Sequence, residues 1–186
     1  MKETEWASQI ARRLDKHFPR LRVEAGKRLI YANEIREYEE LQPHYKDMKY
    51  ETDILLYQET RSGGWIPRVV IETKVNSIST HGAITYSQKA ATHKQVHPYL
   101  RYGIFLGNRG HHPLPGRLFR HGAHFDFMLS WKRYRPTEPE WKALTSIVRQ
   151  EITASKKLEK LIFDSRKSDR DKIFSFHKPL RTKWKN

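Results

Sequence analysis

Trp6, Ile10 and Leu14 recur every four residues near the start of the chain, with charged positions between them and Pro19 just beyond. That spacing predicts a core-packing helix over 4–18, capped by Thr4 and halted by the proline. Residues 27–41 (KRLIYANEIREYEEL) read as a strand that turns into a short acidic helix, and period does not separate the two. Two strands are predicted at 50–59 and 65–75, joined by Thr60-Arg61-Ser62-Gly63-Gly64, whose glycines permit the positive φ of a hairpin turn. Ile54-Leu55-Leu56 and Val69-Val70-Ile71 are continuous apolar runs, which predicts helices covering both sheet faces. Pro67 lacks a donor and belongs at its strand's start or at an unpaired position.

A second helix is predicted over 81–97, ended by Pro98, with Lys89, His93 and His97 on one face. A strand at 101–108 follows, then a Gly-, Pro-, His- and Arg-rich loop at 109–124 with room for a short turn, then a strand at 125–131. Thr137 and Glu140 have capping-box spacing around Pro139. Trp141, Leu144, Val148, Ile152, Leu158 and Leu161 follow at helical intervals, so a long helix is predicted there. The basic stretch from Arg166 onward reads as a closing strand or an arm. No repeat or low-complexity segment interrupts the pattern, and 186 residues with 37% apolar content suit one buried core.

Charge alters this picture. The 36 Lys and Arg against 21 Asp and Glu give a net +15. Residues 1–60 are nearly balanced, with 11 basic and 12 acidic side chains, whereas 61–186 hold 25 and 9. A positive field of that size suits a polyanion, with nucleic acid first. The absence of Cys excludes disulfide scaffolds, thiolate zinc sites and Cys nucleophiles. No apolar run approaches the length of a membrane span, and the first five residues lack the apolar core of a signal peptide, so a cytoplasmic protein with no membrane contact is expected.

The candidate chemistry lies on the two adjacent strands. Side chains alternate along a strand, so Glu72 and Lys74 share one face, opposite Val69, Ile71 and Thr73, and Asp53 on the partner strand can turn to the same place. Two carboxylates beside an ammonium are what a hard divalent cation and a water nucleophile need at a phosphodiester. A Glu-x-Lys triplet alone is weak, and Glu140-Trp141-Lys142 is a second copy at a helix start; strand context separates the two. The structural alternative is a cross-strand ion pair.

Asp53, Glu72 and Lys74, in the order helix, strand, Asp-bearing strand, Glu-x-Lys strand, helix, strand, resemble the signature of the PD-(D/E)xK nuclease superfamily over about residues 3–108. Thr52 departs from it, standing where many members have Pro. The resemblance implies an α/β fold with a restriction endonuclease-like core: a central mixed β-sheet flanked by helices on both faces, here extended by a long helix in the C-terminal half. It implies a single nuclease domain over 1–186, comprising the core, the basic loop 109–124, the long helix 137–162 and a basic segment 166–186. It further implies Mg²⁺ held by Asp53, Glu72 and the carbonyl of Thr73, with Lys74 orienting the attacking water, and products bearing a 5′-phosphate and a 3′-hydroxyl. Glu5, then Glu39, are its candidates for an auxiliary carboxylate, and Gln88 and Lys89 for further site contacts. The Gln95-Val96-His97-Pro98-Tyr99 stretch is set aside because Pro98 would break the helix that the related Gln-x-x-x-Tyr motif needs.

Double-stranded DNA is the expected substrate, contacted by Arg109, Arg117 and Arg120 of the loop and by Lys178, Arg181 and Lys183 of the tail, with Trp184 beside them. With little chain left over for reading sequence, the chain most resembles the small cleavage subunit of a heterodimeric type IIS restriction endonuclease, partnered by a larger sequence-recognising subunit. A Holliday-junction resolvase, a homodimeric restriction enzyme and a non-catalytic basic nucleic-acid-binding protein are the alternatives. His111, His112, His121 and His124 form a loop cluster better suited to phosphate contact or solvent than to zinc, and a His-based nuclease using this loop is the mechanistic rival.

Overall fold

The computed structural model describes residues 1–110, 113–163, 175–177 and 179–182. Its elements are α1 (Glu3–His17), β1 (Arg22–Ala25), β2 (Arg28–Glu39), β3 (Gln42–Glu51), β4 (Ile54–Glu59), β5 (Trp65–Val75), α2 (Thr80–Val96), β6 (Arg101–Gly107), α3 (Gly116–His121), β7 (Phe127–Ser130) and α4 (Glu138–Phe163). Five strands form one mixed sheet in the order β1-β4-β5-β6-β7, antiparallel as far as β5 and parallel from β5 to β7. The predicted α/β class, with a mixed central sheet between helices and a long C-terminal helix, is what the chain adopts.

The sheet is covered on both faces because the middle stretches of its inner strands, Ile54 to Tyr57, Val69 to Ile71 and Ile104 to Leu106, are apolar on both sides. Ile54, Leu56, Val69, Ile71 and Phe105 pack with Trp6, Ile10 and Leu14 of α1 and with Trp141, Leu144, Val148 and Ile152 of α4. Leu55, Val70, Tyr102, Ile104 and Leu106 pack on the opposite face with Ala83 and Ala90 of α2 and Leu118 of α3. Two glycines of β6 let bulky rings lie close to the sheet. A Cβ on Gly103 would stand 2.2 Å from the Phe127 ring, and one on Gly107 would stand 2.4 Å from the Trp6 ring. Pro67 sits near the start of β5, opposite Tyr57, where the β4–β5 register shifts.

Thr4 lies inside α1, which begins at Glu3 after Lys2, so it does not cap the helix, and two larger expectations fail. Residues 27–41 contain no helix: β2 runs through them and pairs with β3 as a separate two-stranded ribbon. The strand predicted over 50–59 is divided, since Tyr50 and Glu51 end β3, Thr52 and Asp53 form the link, and β4 begins at Ile54. The link is fixed by Thr52, fully buried, whose N–H and hydroxyl both donate to the Lys27 carbonyl at 3.1 and 2.8 Å. Proline could not make the first of these bonds, which accounts for Thr at this position.

The predicted row Lys89, His93, His97 on α2 faces the foot of the ribbon. His93 stacks on Tyr102 and meets the edges of the stacked pair Tyr31 and Tyr50, while its Nε2 lies 3.4 Å from the Leu29 carbonyl. His97 Nε2 lies 3.1 Å from the Ile30 carbonyl. Burial pushes the His93 imidazole down to about 4. Its neutral form therefore stabilises the fold fully above pH ~6.5, and this contribution, on the order of 3 kcal/mol, is lost as pH falls from there to about 4. In an NMR titration of the ring carbons, His93 is expected to stay neutral until about pH 4; a midpoint near the ~6.5 of a free imidazole would contradict the packing.

Candidate active site

Asp53 and Glu72 come together where β4 gives way at its start and β5 continues, with Lys74 two residues further along β5. The β4–β5 ladder reaches Ile54 opposite Ile71. Just beyond it, Asp53 Oδ2 accepts from the backbone N–H of Thr73 at 2.7 Å and from the Thr73 hydroxyl at 3.0 Å. The carboxylate thus satisfies a strand donor and is held rigidly beside Glu72.

Glu72 follows Val70 onto the α2 face and is fully buried. Its Oε1 accepts from the Tyr102 hydroxyl at 2.6 Å and pairs with the Lys89 ammonium at 2.8 Å. Its Oε2 has no hydrogen-bond partner among the described residues. Burial pushes the Glu72 carboxyl up and the Asp53 charge adds to this, outweighing the opposing pull of Lys89 and Tyr102. Burial, with the Glu72 charge behind it, holds the Tyr102 hydroxyl well above the usual phenol range.

Lys74 also points to the α2 side, with its ammonium 4.3 Å from the centre of the Tyr86 ring. It pairs with Glu3 of α1, whose second oxygen accepts from the Val75 N–H at 3.3 Å. Burial alone would lower the Lys74 pKa, but Glu3 and Tyr86 outweigh it and the pKa is raised. Lys74 is therefore a cation at neutral pH, suited to donating hydrogen bonds to negative oxygen rather than to taking a proton.

The other predicted residues divide. Lys89 is in the site. Gln88 is exposed on the same helix. Glu5 is exposed and is spent on the backbone N–H of Lys2, while Glu39 pairs with His44 near the ribbon's tip, so neither joins the carboxylates. Glu3 occupies the first-helix position instead. Tyr86, Tyr102 and Glu3 belong to the site without having been singled out by the sequence pattern.

The basic loop packs beside the end of β5. Arg109 donates to the carbonyls of Asn76 and Pro113, and Arg117 donates to the Ile78 carbonyl at 2.9 Å. Arg120 is exposed on α3. Arg181 reaches Gln150 of α4 at 3.4 Å. Lys178, Lys183 and Trp184 lie outside the described residues, as do His111 and His112. Among the described residues no group of three or more His, Asp or Glu could hold a metal ion. Nor is any described helix long and apolar enough to cross a membrane.

The donor set suits Mg²⁺ in kind: two carboxylates with a backbone carbonyl next to one of them in the chain, all oxygen, with one buried carboxylate oxygen unpartnered. No known family model matches the chain, and no curated protein matches it in sequence.

Proposed function

We propose that the chain is a Mg²⁺-dependent endodeoxyribonuclease of the PD-(D/E)xK type that leaves a 5′-phosphate and a 3′-hydroxyl. The observation that carries this is Glu72: a buried carboxylate with one oxygen tied to Lys89 and Tyr102 and the other unpartnered among the described residues, between Asp53 and Lys74. A merely structural ion pair would use both oxygens at a buried site, since an unpaired buried polar atom is costly.

Asp53, Glu72 Oε2 and the Thr73 carbonyl would hold the ion, which supplies Lewis acidity and an acidified water when bound. Lys89 and Tyr102 fix the Glu72 carboxylate in one orientation. Lys74, kept protonated by Glu3, donates to the phosphoryl oxygens as negative charge develops, where low dielectric makes each hydrogen bond count for more. Arg117 and Arg120 beside the end of β5 supply backbone phosphate contacts. A single such site cuts one strand, so cutting both requires a second active site, whether from the larger sequence-recognising subunit expected from the resemblance or from a second copy.

The test is supercoiled plasmid incubated with the chain and Mg²⁺ or EDTA, with the ends of the products mapped. Metal-dependent nicking that leaves ends ligatable without kinase treatment is expected. DNA binding without cleavage at any Mg²⁺ concentration would replace the nuclease by a binding protein. A separate expectation concerns salt. Replacing Arg117 and Arg120 by Gln should reduce the slope of log K against log salt by about 1 for each phosphate that is no longer neutralised, read by fluorescence anisotropy at several NaCl concentrations.

A further inference from the structure

The ribbon β2–β3 stands outside both cores beyond its foot. Past Met48, its residues are largely exposed on both sides, including Ile35 at 49%, Tyr38 at 66% and Tyr45 at 59%. A free two-stranded ribbon is marginal in water, so an arm of this kind needs something to lie against.

Register shows which side would do so. Ile35 pairs with Tyr45 and Tyr38 with Pro43, whereas Glu37 pairs with His44 and Glu39 with Gln42, the shift between Ile35 and Glu37 keeping these sets apart. Directly opposed residues share a face and neighbours alternate. One face is therefore Ile35, Tyr38, Pro43 and Tyr45, and the other is Glu37, Glu39, His44 and Gln42. The contact between His44 and Glu39, at 2.9 Å, lies on that second face.

Charge narrows the occupant. Residues 33–47 carry five acidic and two basic side chains, leaving +18 on the rest of the chain. The arm's net negative charge disfavours DNA, whereas the body of this same protein offers a surface of opposite sign.

We propose that the β2–β3 ribbon is an exchange arm that lays Ile35, Tyr38 and Tyr45 on the body of a second copy of this chain, its Glu and Asp residues meeting that copy's Lys and Arg. Reciprocal exchange closes as a twofold dimer and leaves no free arm. The dimer joins two copies of the Asp53, Glu72 and Lys74 site through the ribbon whose foot lies against Lys89. The proposal does not depend on the nuclease reading, because it is tested by mass rather than by cleavage.

Sedimentation equilibrium of the full chain up to about 100 µM decides it. The wild type is expected to be a dimer that weakens as NaCl rises. Tyr38→Asp with Tyr45→Asp should raise the dimer dissociation constant about 100-fold or more, and Glu37→Lys with Glu39→Lys about tenfold. These positions are outside both cores, so circular dichroism should be unchanged. A wild type that stays monomeric, or a dimer indifferent to both double variants, would each overturn the arm's role.

Discussion

Asp53→Asn, Glu72→Gln and Lys74→Ala are each expected to lower Mg²⁺-dependent cleavage by about 10³-fold or more while the fold survives. Asn at 53 still offers a carbonyl to the Thr73 N–H and hydroxyl, and Gln at 72 still accepts from Tyr102. Both changes therefore remove charge at the phosphoryl centre without removing the bonds that hold the strands. Lys74→Ala releases Glu3, which is half-exposed and can be solvated. Plasmid nicking rates, read beside circular dichroism and thermal melts, separate chemistry from folding. Because burial and Asp53 raise the Glu72 pKa, the ionised carboxylate is lost at a higher pH than an ordinary glutamate would be. The acid limb of the wild-type rate profile should thus lie above the usual carboxylate range. Full activity in all three variants would move the chemistry elsewhere, with the histidine-bearing loop the next place to look.

Trp6→Ala is expected to destabilise the protein by about 3–5 kcal/mol, the range for removing a large aromatic from a well-packed core. The ring is 1% exposed, lies 4.8 Å from Phe105 and 6.0 Å from Trp131 between centroids, and covers Gly107. Its indole N–H donates to the Tyr134 carbonyl at 3.0 Å, so the substitution also removes that carbonyl's donor. Urea denaturation should show a lowered midpoint with little change in slope. Since α1 carries Glu3, a loosened helix also loosens the contact with Lys74, and cleavage should fall before the melt. A midpoint shift worth under about 1 kcal/mol would mean that α1 is not anchored by this ring.

The parts of the molecule that are legible in sequence are those whose burial is periodic. Trp6, Ile10 and Leu14 in α1, Trp141 to Ile152 in α4, and the apolar runs of β4 and β5 all report a face against a core. The ribbon is hard to read because its distal half touches neither core, so no buried face imprints a period on it; its Glu-rich run mimics a helix, and only the pairing with residues 42–51 reveals a strand. The choice of Glu5 as the first-helix carboxylate misses for a different reason. Glu3 stands in the helical row of Ala7, Ile10, Ala11 and Leu14, all buried, whereas Glu5 leads the row of Gln9, Arg12 and Lys16, all exposed. Periodicity applied to the carboxylates themselves selects Glu3. Tyr102 is hidden because β6 is apolar on both faces, and only the parallel register with β5, which sets it opposite Val70, puts its hydroxyl on the same face as Glu72 two residues further along.

The ammonium of Lys89 holds Glu72 at 2.8 Å and, with another of its protons, the Glu51 carbonyl at 2.7 Å. Glu51 is the last residue of the ribbon, two positions before Asp53. One cationic head is thus a hinge pin between the lever formed by β2–β3 and the floor of the site. A load on the distant tip that tilts the ribbon's base also pulls on the buried Glu72 carboxylate. Whatever the arm grips is, through this nitrogen and the short Thr52-Asp53 link, mechanically in touch with both carboxylates.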